Sequence, residues 1–199
     1  MRPRNQQFGS VGLMNQKRNC RGGDMNNKDT SNLIDEVEFT IRDKTGRIKK
    51  HYTSNTRWNR LLKKLHLKQR NCITKYGMAE TAALLVLDVG GTAFDYVAIG
   101  EGVTAPTVNN QTLESELKRK ASTGTRIQTT QVNDTAKWTA SFSSADGLSG
   151  EDNVSEVGVL NADENGTLLT RLTFTPQTLD WDDGDTFEIS VKVQIKQGS

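Results

Sequence analysis

The sequence predicts a mainly β protein: an antiparallel β-sandwich or barrel with one N-terminal amphipathic helix and an extended N-terminal arm. Three observations carry that prediction. Short segments alternate apolar and polar residues, most cleanly Thr186–Ile195, where Phe187, Ile189, Val191, Val193 and Ile195 share one face. Between such segments lie Gly/Asn/Asp clusters that mark tight turns. The first 31 residues, rich in Asn, Gln, Arg and Gly, show no period of either kind.

In chain order, residues 1–31 read as a basic, low-complexity arm that cannot bury enough surface to offset its ordering entropy. Residues 32–77 read as a hairpin followed by a basic helix. Glu36–Arg42 alternates Val37, Phe39 and Ile41, Asp43–Gly46 turns, and Arg47–Thr53 returns. Thr56 caps an expected helix over Arg57–Arg70, where Trp58, Leu61, Leu62 and Leu65 fall on one stripe. Residues 78–199 read as an acidic antiparallel β-domain, with 32–199 forming one folded unit. Its expected hairpins are Leu84–Val89 with Phe94–Ile99, Arg126–Val132 with Ala136–Phe142, and Val154–Leu160 with Thr167–Phe174. A Gly/Pro loop over 100–110 and a short helical turn over Gln111–Leu117, carrying Leu113 and Leu117, fill the interval.

The net charge of +2 conceals a division. Residues 1–77 hold 18 Lys/Arg against 6 Asp/Glu, giving +12; residues 78–199 hold 8 against 18, giving −10. A basic arm seeks nucleic acid or an acidic protein face, whereas an acidic body stays soluble and avoids nucleic acid. Mean hydropathy is −0.63. The longest apolar run, Ala82–Leu87, is too short to span a bilayer, and the apolar residues of Phe8–Met14 form no secretory core. No membrane partner is expected. Cys20 and Cys72 match no metal or redox spacing, so the expectation is reduced thiols.

Nothing in the residues calls for catalysis, a cofactor or a metal. The two histidines, His51 and His66, sit in basic surroundings without a neighbouring nucleophile motif. Asp180, Asp182, Asp183 and Asp185 crowd one turn as calcium ligands do, but the spacing departs from an EF-hand and a solvated turn is expected. Gly90-Gly91 and Gly100-Glu-Gly102 lack the remainder of a phosphate loop and read as turn glycines. Clustered cations on the 57–70 segment leave phosphate contact open, although aromatic stacking partners are sparse.

Five segments resemble a β-domain of structural proteins in tailed bacteriophages, of the capsid-decoration, head-fibre and tail-fibre kind. Ala98-Ile-Gly-Glu-Gly-Val-Thr-Ala-Pro106 and Thr112-Leu-Glu-Ser-Glu-Leu-Lys-Arg119 are similar to its Gly-rich loop and following turn. Glu156-Val-Gly-Val-Leu-Asn-Ala162 with Gly166–Phe174 resembles its central hairpin, and Phe39–Gly46 its opening one. The resemblance spans roughly residues 36–196. It implies a non-enzymatic virion component, assembled in the host cytoplasm, that is homo-oligomeric and contacts capsid, portal, neck or tail subunits. On this reading Arg2, Arg4, Phe8, Lys17, Arg18, Arg21, Arg57, Arg60, Lys63 and Lys64 are the anchoring candidates. Glu156 and Arg171, on facing strands, are expected to form an ion pair that fixes register. Two alternatives stand beside it: a nucleic-acid-binding packaging or scaffold factor, and a glycan- or receptor-binding tip.

Overall fold

The computed structural model describes residues 32–54, 72–86 and 91–196. The arm over 1–31 and the helix expected over Arg57–Arg70 lie outside these residues.

Among the described residues ten strands form two five-stranded antiparallel sheets. They are β1 (Asn32–Arg42), β2 (Ile48–Thr53), β3 (Cys72–Ile73), β4 (Tyr96–Gly100) and β5 (Glu116–Ala121). Then come β6 (Thr123–Ile127), β7 (Thr135–Phe142), β8 (Glu151–Leu160), β9 (Leu168–Asp180) and β10 (Thr186–Lys196). The first sheet has the order β2-β1-β10-β7-β6, and the second β3-β9-β8-β4-β5. The longest-range pairing joins the ends of the described chain: β1 lies against β10 over its full length, from Asn32↔Lys196 to Arg42↔Thr186.

Alternation decides what each strand buries. Val37, Phe39 and Ile41 of β1, and Phe187, Ile189, Val191 and Val193 of β10, face the second sheet. That sheet returns Val97 and Ile99 from β4, Val157 and Val159 from β8, and Leu172 and Phe174 from β9. The rings of Phe39, Phe174 and Phe187 cluster, with Phe39 and Phe174 centroids 4.7 Å apart and Phe39 and Phe187 centroids 5.1 Å apart. The second sheet also buries its outer face. Ala98, Leu113, Leu160 and Leu168 form a separate small core there.

Two expected elements take another form. Leu84 and Leu85, read as the start of a strand over Leu84–Val89, instead end an α-helix, α1 (Lys75–Leu85); residues 87–89 lie outside the described residues, and β4 pairs with β5 and β8. Thr74 caps α1 by accepting the Gly77 N–H at 2.9 Å, and Ala, Met, Glu and Leu favour the helix that follows. An apolar run of this length fits either element, and the cap settles it. The helical turn expected over Gln111–Leu117 is irregular chain that enters β5 at Glu116. Its two leucines do not share a stripe: Leu113 enters the outer core, whereas Leu117 packs on the inter-sheet core. The third hairpin is shifted, pairing Thr123–Ile127 with Thr135–Thr139. Asp134 closes its loop by accepting the amides of Thr129, Thr130 and Gln131, each at 2.9 Å. Cys72, buried in β3, is disulfide-bonded, not the free thiol its isolated position predicts.

The β1–β2 turn carries a pH prediction. The Thr45 hydroxyl, followed by the Arg47 and Thr45 amides, holds the Asp43 carboxyl down to about 2 from an ordinary 3.8. A carboxylate depressed in the folded state stabilises above its unfolded value, and that contribution is lost as pH falls through about 2. An NMR titration should place the Asp43 midpoint near 2; a midpoint near 4 contradicts the turn geometry.

Candidate functional site

After Gly100 the chain leaves β4 and runs as a strap, residues 101–115, over the outer face of the second sheet before returning as β5. What holds the strap is a carboxylate beneath it. Glu156 of β8 pairs in register with Gly100 and is fully buried. Its Oε1 accepts the Gly102 N–H at 3.1 Å and the Ser115 N–H at 2.7 Å. Its Oε2 accepts the Glu114 N–H at 3.1 Å and the Arg171 Nε–H at 2.7 Å. Arg171 of β9, also fully buried, donates Nη1–H to Thr104 O at 3.2 Å and Nη2–H to Glu114 Oε2 at 3.1 Å. Glu114 in turn accepts the Thr104 hydroxyl at 2.6 Å and its amide at 2.9 Å. Those Thr104 bonds, hydroxyl before amide, and then the Arg171 charge, hold the Glu114 carboxyl below the ordinary range. Ser155 Oγ donates to Gly102 O at 3.1 Å, and Asn153 N–H to Glu101 Oε1 at 2.9 Å.

Register explains how the pair meets. Glu156 opposes Thr173, and Arg171 opposes Gly158, so the two charges are diagonal neighbours on the outer face. A slip of β8 or β9 by one residue turns that strand's charge into the apolar space between the sheets and leaves its partner alone on the outer face.

The glycines are there for space. A Cβ on Gly100 falls 2.3 Å from Ser115 O and 2.6 Å from Glu156 Oε1. On Gly102 it falls 2.6 Å from both Glu114 Cβ and Glu156 Cδ, and on Gly158 2.7 Å from Leu168 Cδ1. Gly102→Val is therefore expected to lift the strap at a cost of about 1–3 kcal/mol. Limited proteolysis should then cut within 101–115 faster while the paired strands resist. Unchanged cleavage counts against the close approach.

Chemically the cluster is saturated. Each oxygen of Glu156 takes two donors, leaving no lone pair for general-base work. The arrangement fixes a loop. Among the other residues singled out by sequence, His51 lies exposed on β2, with Nδ1 3.0 Å from Thr40 Oγ1 and Nε2 3.5 Å from Glu38 Oε1. The acidic turn is closed by lysines: Lys44 meets Asp183 at 2.7 Å and Lys49 meets buried Asp185 at 2.6 Å. Among the described residues no group of three His, Cys, Asp or Glu is placed to hold a metal ion. His66 and the ten anchoring candidates (Arg2, Arg4, Phe8, Lys17, Arg18, Arg21, Arg57, Arg60, Lys63 and Lys64) lie outside the described residues. Glu114 and Thr104 were not singled out by sequence. Their only signal was their place inside the two similar segments, 98–106 and 112–119.

Comparison of the chain with protein-family models, with curated proteins and with solved structures finds no match.

Proposed function

We propose that this protein is a structural component of a bacteriophage virion, presenting its β-sandwich on the capsid, neck or tail and held there by its N-terminal arm. One observation carries the reading. Four of the five segments that resemble the phage domain, 98–106, 112–119, 156–162 and 166–174, meet in a single network around buried Glu156 and Arg171, where Gly100, Gly102 and Glu114 help hold one loop to one sheet. Their polar groups are consumed in fixing shape, which suits a module whose work is presentation.

The finer parts of the proposal rest on charge. Arg2, Arg4, Lys17, Arg18 and Arg21, with Phe8, are assigned to the anchoring arm, and Arg57, Arg60, Lys63 and Lys64 to a second basic cluster in the sequence. Copies on a particle act together, so a weak contact per arm suffices through avidity.

Two measurements test this. Mass spectrometry of density-purified particles from the phage encoding the chain should find it as a stoichiometric component; its absence there overturns the reading. Deleting residues 1–31 should reduce incorporation by about tenfold or more. Undiminished incorporation removes the arm from the mechanism and leaves the virion assignment standing. A titration with duplex and single-stranded DNA should give no binding at physiological salt. Tight binding with a steep salt slope transfers the basic segment to a packaging role.

A further inference from the structure

Among the described residues four strands form the sheet edges: β2 and β6 in one sheet, β3 and β5 in the other. An open edge offers unpaired N–H and C=O groups to another strand, and proteins blunt such edges with charge or brevity. Three of the four are blunted. β3 has two residues; β2 carries Lys49 and Lys50 next to Arg47; β5 carries Lys118, Arg119 and Lys120 in succession. β6, Thr-Gly-Thr-Arg-Ile, has one cation, and four of its five residues are exposed.

We infer that β6 is a self-pairing edge, by which two copies of this chain join antiparallel about a two-fold axis at Thr125. Register selects the axis. Gly124 and Arg126 oppose Trp138 and Ala136, whose side chains pack in or against the inter-sheet core, so they point to the inner side. Thr123, Thr125 and Ile127 point outward. Keeping inner side with inner side leaves registers centred on Gly124, Thr125 or Arg126. Centring on Arg126 sets two guanidiniums face to face, and centring on Gly124 pairs only three residues. Centring on Thr125 pairs all five: Thr123 with Ile127, Thr125 with itself, and Gly124 with the partner's Arg126. Space exists for that last pair, since a Cβ on Gly124 would find only Trp138 Cδ1 within 4 Å, at 4.0 Å. The contact is isologous and closed, as two-fold interfaces are. Five residues a side bury less than the ~800 Å² per partner of a stable dimer, so the free chains associate weakly. Copies held on a common scaffold pair through effective concentration. This inference does not rest on the virion reading, and particle incorporation does not bear on it.

Thr125→Cys tests it directly. Opposed residues of an antiparallel pair have Cα atoms about 4.5–5.5 Å apart, within disulfide reach. At about 1 mM chain under mild oxidation, the variant should become mainly a covalent dimer, with peptide mapping placing the link at position 125. Lys50→Cys, on the repelling β2 edge, should stay monomeric. A Thr125→Cys chain that stays monomeric, or links no faster than Lys50→Cys, overturns the proposal. In sedimentation equilibrium, Thr125→Lys, which opposes two ammonium groups on the axis, should weaken association about tenfold. Wild-type association by Thr125→Lys, or no association by the wild type, overturns it equally. Near-UV circular dichroism confirms that each exposed-edge variant is folded.

Discussion

Glu156→Ala is expected to cost about 3–5 kcal/mol, because it leaves Arg171 fully buried with its main counter-charge gone. The loss is large against the ~5–15 kcal/mol that typically separates folded from unfolded chains. It has two sources. The guanidinium keeps only Thr104 O and the half-exposed Glu114, and the amides of Gly102, Glu114 and Ser115 lose their acceptor. Urea unfolding followed by far-ultraviolet circular dichroism gives the stability, and hydrogen exchange at the Gly102 and Ser115 amides locates the damage. Glu156→Gln should cost less, since its amide oxygen still accepts from the strap. The double variant Glu156→Gln/Arg171→Met should recover part of the loss, because it no longer buries a lone charge. If Glu156→Ala unfolds within about 1 kcal/mol of the wild type, the strap is not held by this carboxylate.

Little of this was visible in the sequence as chemistry, though much was visible as pattern. The strands of β1 and β10 could be read because one face of each is buried and the other wet, which imposes a period of two. β8 and β9 were harder to bound. Both faces are covered, so Val154–Leu160 is buried without interruption and alternation vanishes. The helix at Lys75–Leu85 escaped notice for a related reason. Its exposed positions include Met78, Ala79, Ala82 and Leu85, so no polar face announces it, and only Thr74 marks its start. Glu156 and Arg171 could be paired from their places on facing strands. That the pair sits under a strap depended on Gly100 and Gly102, whose purpose shows only when the atoms above them are known. Turn glycines and close-approach glycines look alike in a string of letters. A positive backbone angle belongs to Gly46, Gly147, Gly150 and Gly184, and not to the two glycines that matter most here.

Trp181→Ala is the other large expected loss, about 3–5 kcal/mol, and its site is the joint between the two sheets. Trp181 follows β9 and precedes β10, so its turn carries the chain from the second sheet to the first. The indole is fully buried in the inter-sheet core, and its Nε1–H donates to Asp152 Oδ2 at 2.7 Å. Its backbone N–H binds Gly150 O at 2.9 Å, and its carbonyl accepts the Gly184 N–H at 3.1 Å. Removing the ring opens a cavity, because the turn stays held by its backbone bonds to Gly150 and Gly184 and by the Lys49 pair to buried Asp185. Trp181→Phe separates volume from polarity: it retains most of the packing and orphans Asp152. It should therefore cost less than the alanine variant, with about 1 kcal/mol of its loss due to the missing hydrogen bond. Chemical denaturation of both variants with an unchanged m-value checks this, since the effect is confined to the folded state. Equal losses for Phe and Ala would mean that the Asp152 bond, not the filled core, holds the joint. A loss below about 1 kcal/mol for Ala would mean that the sheets are closed without it.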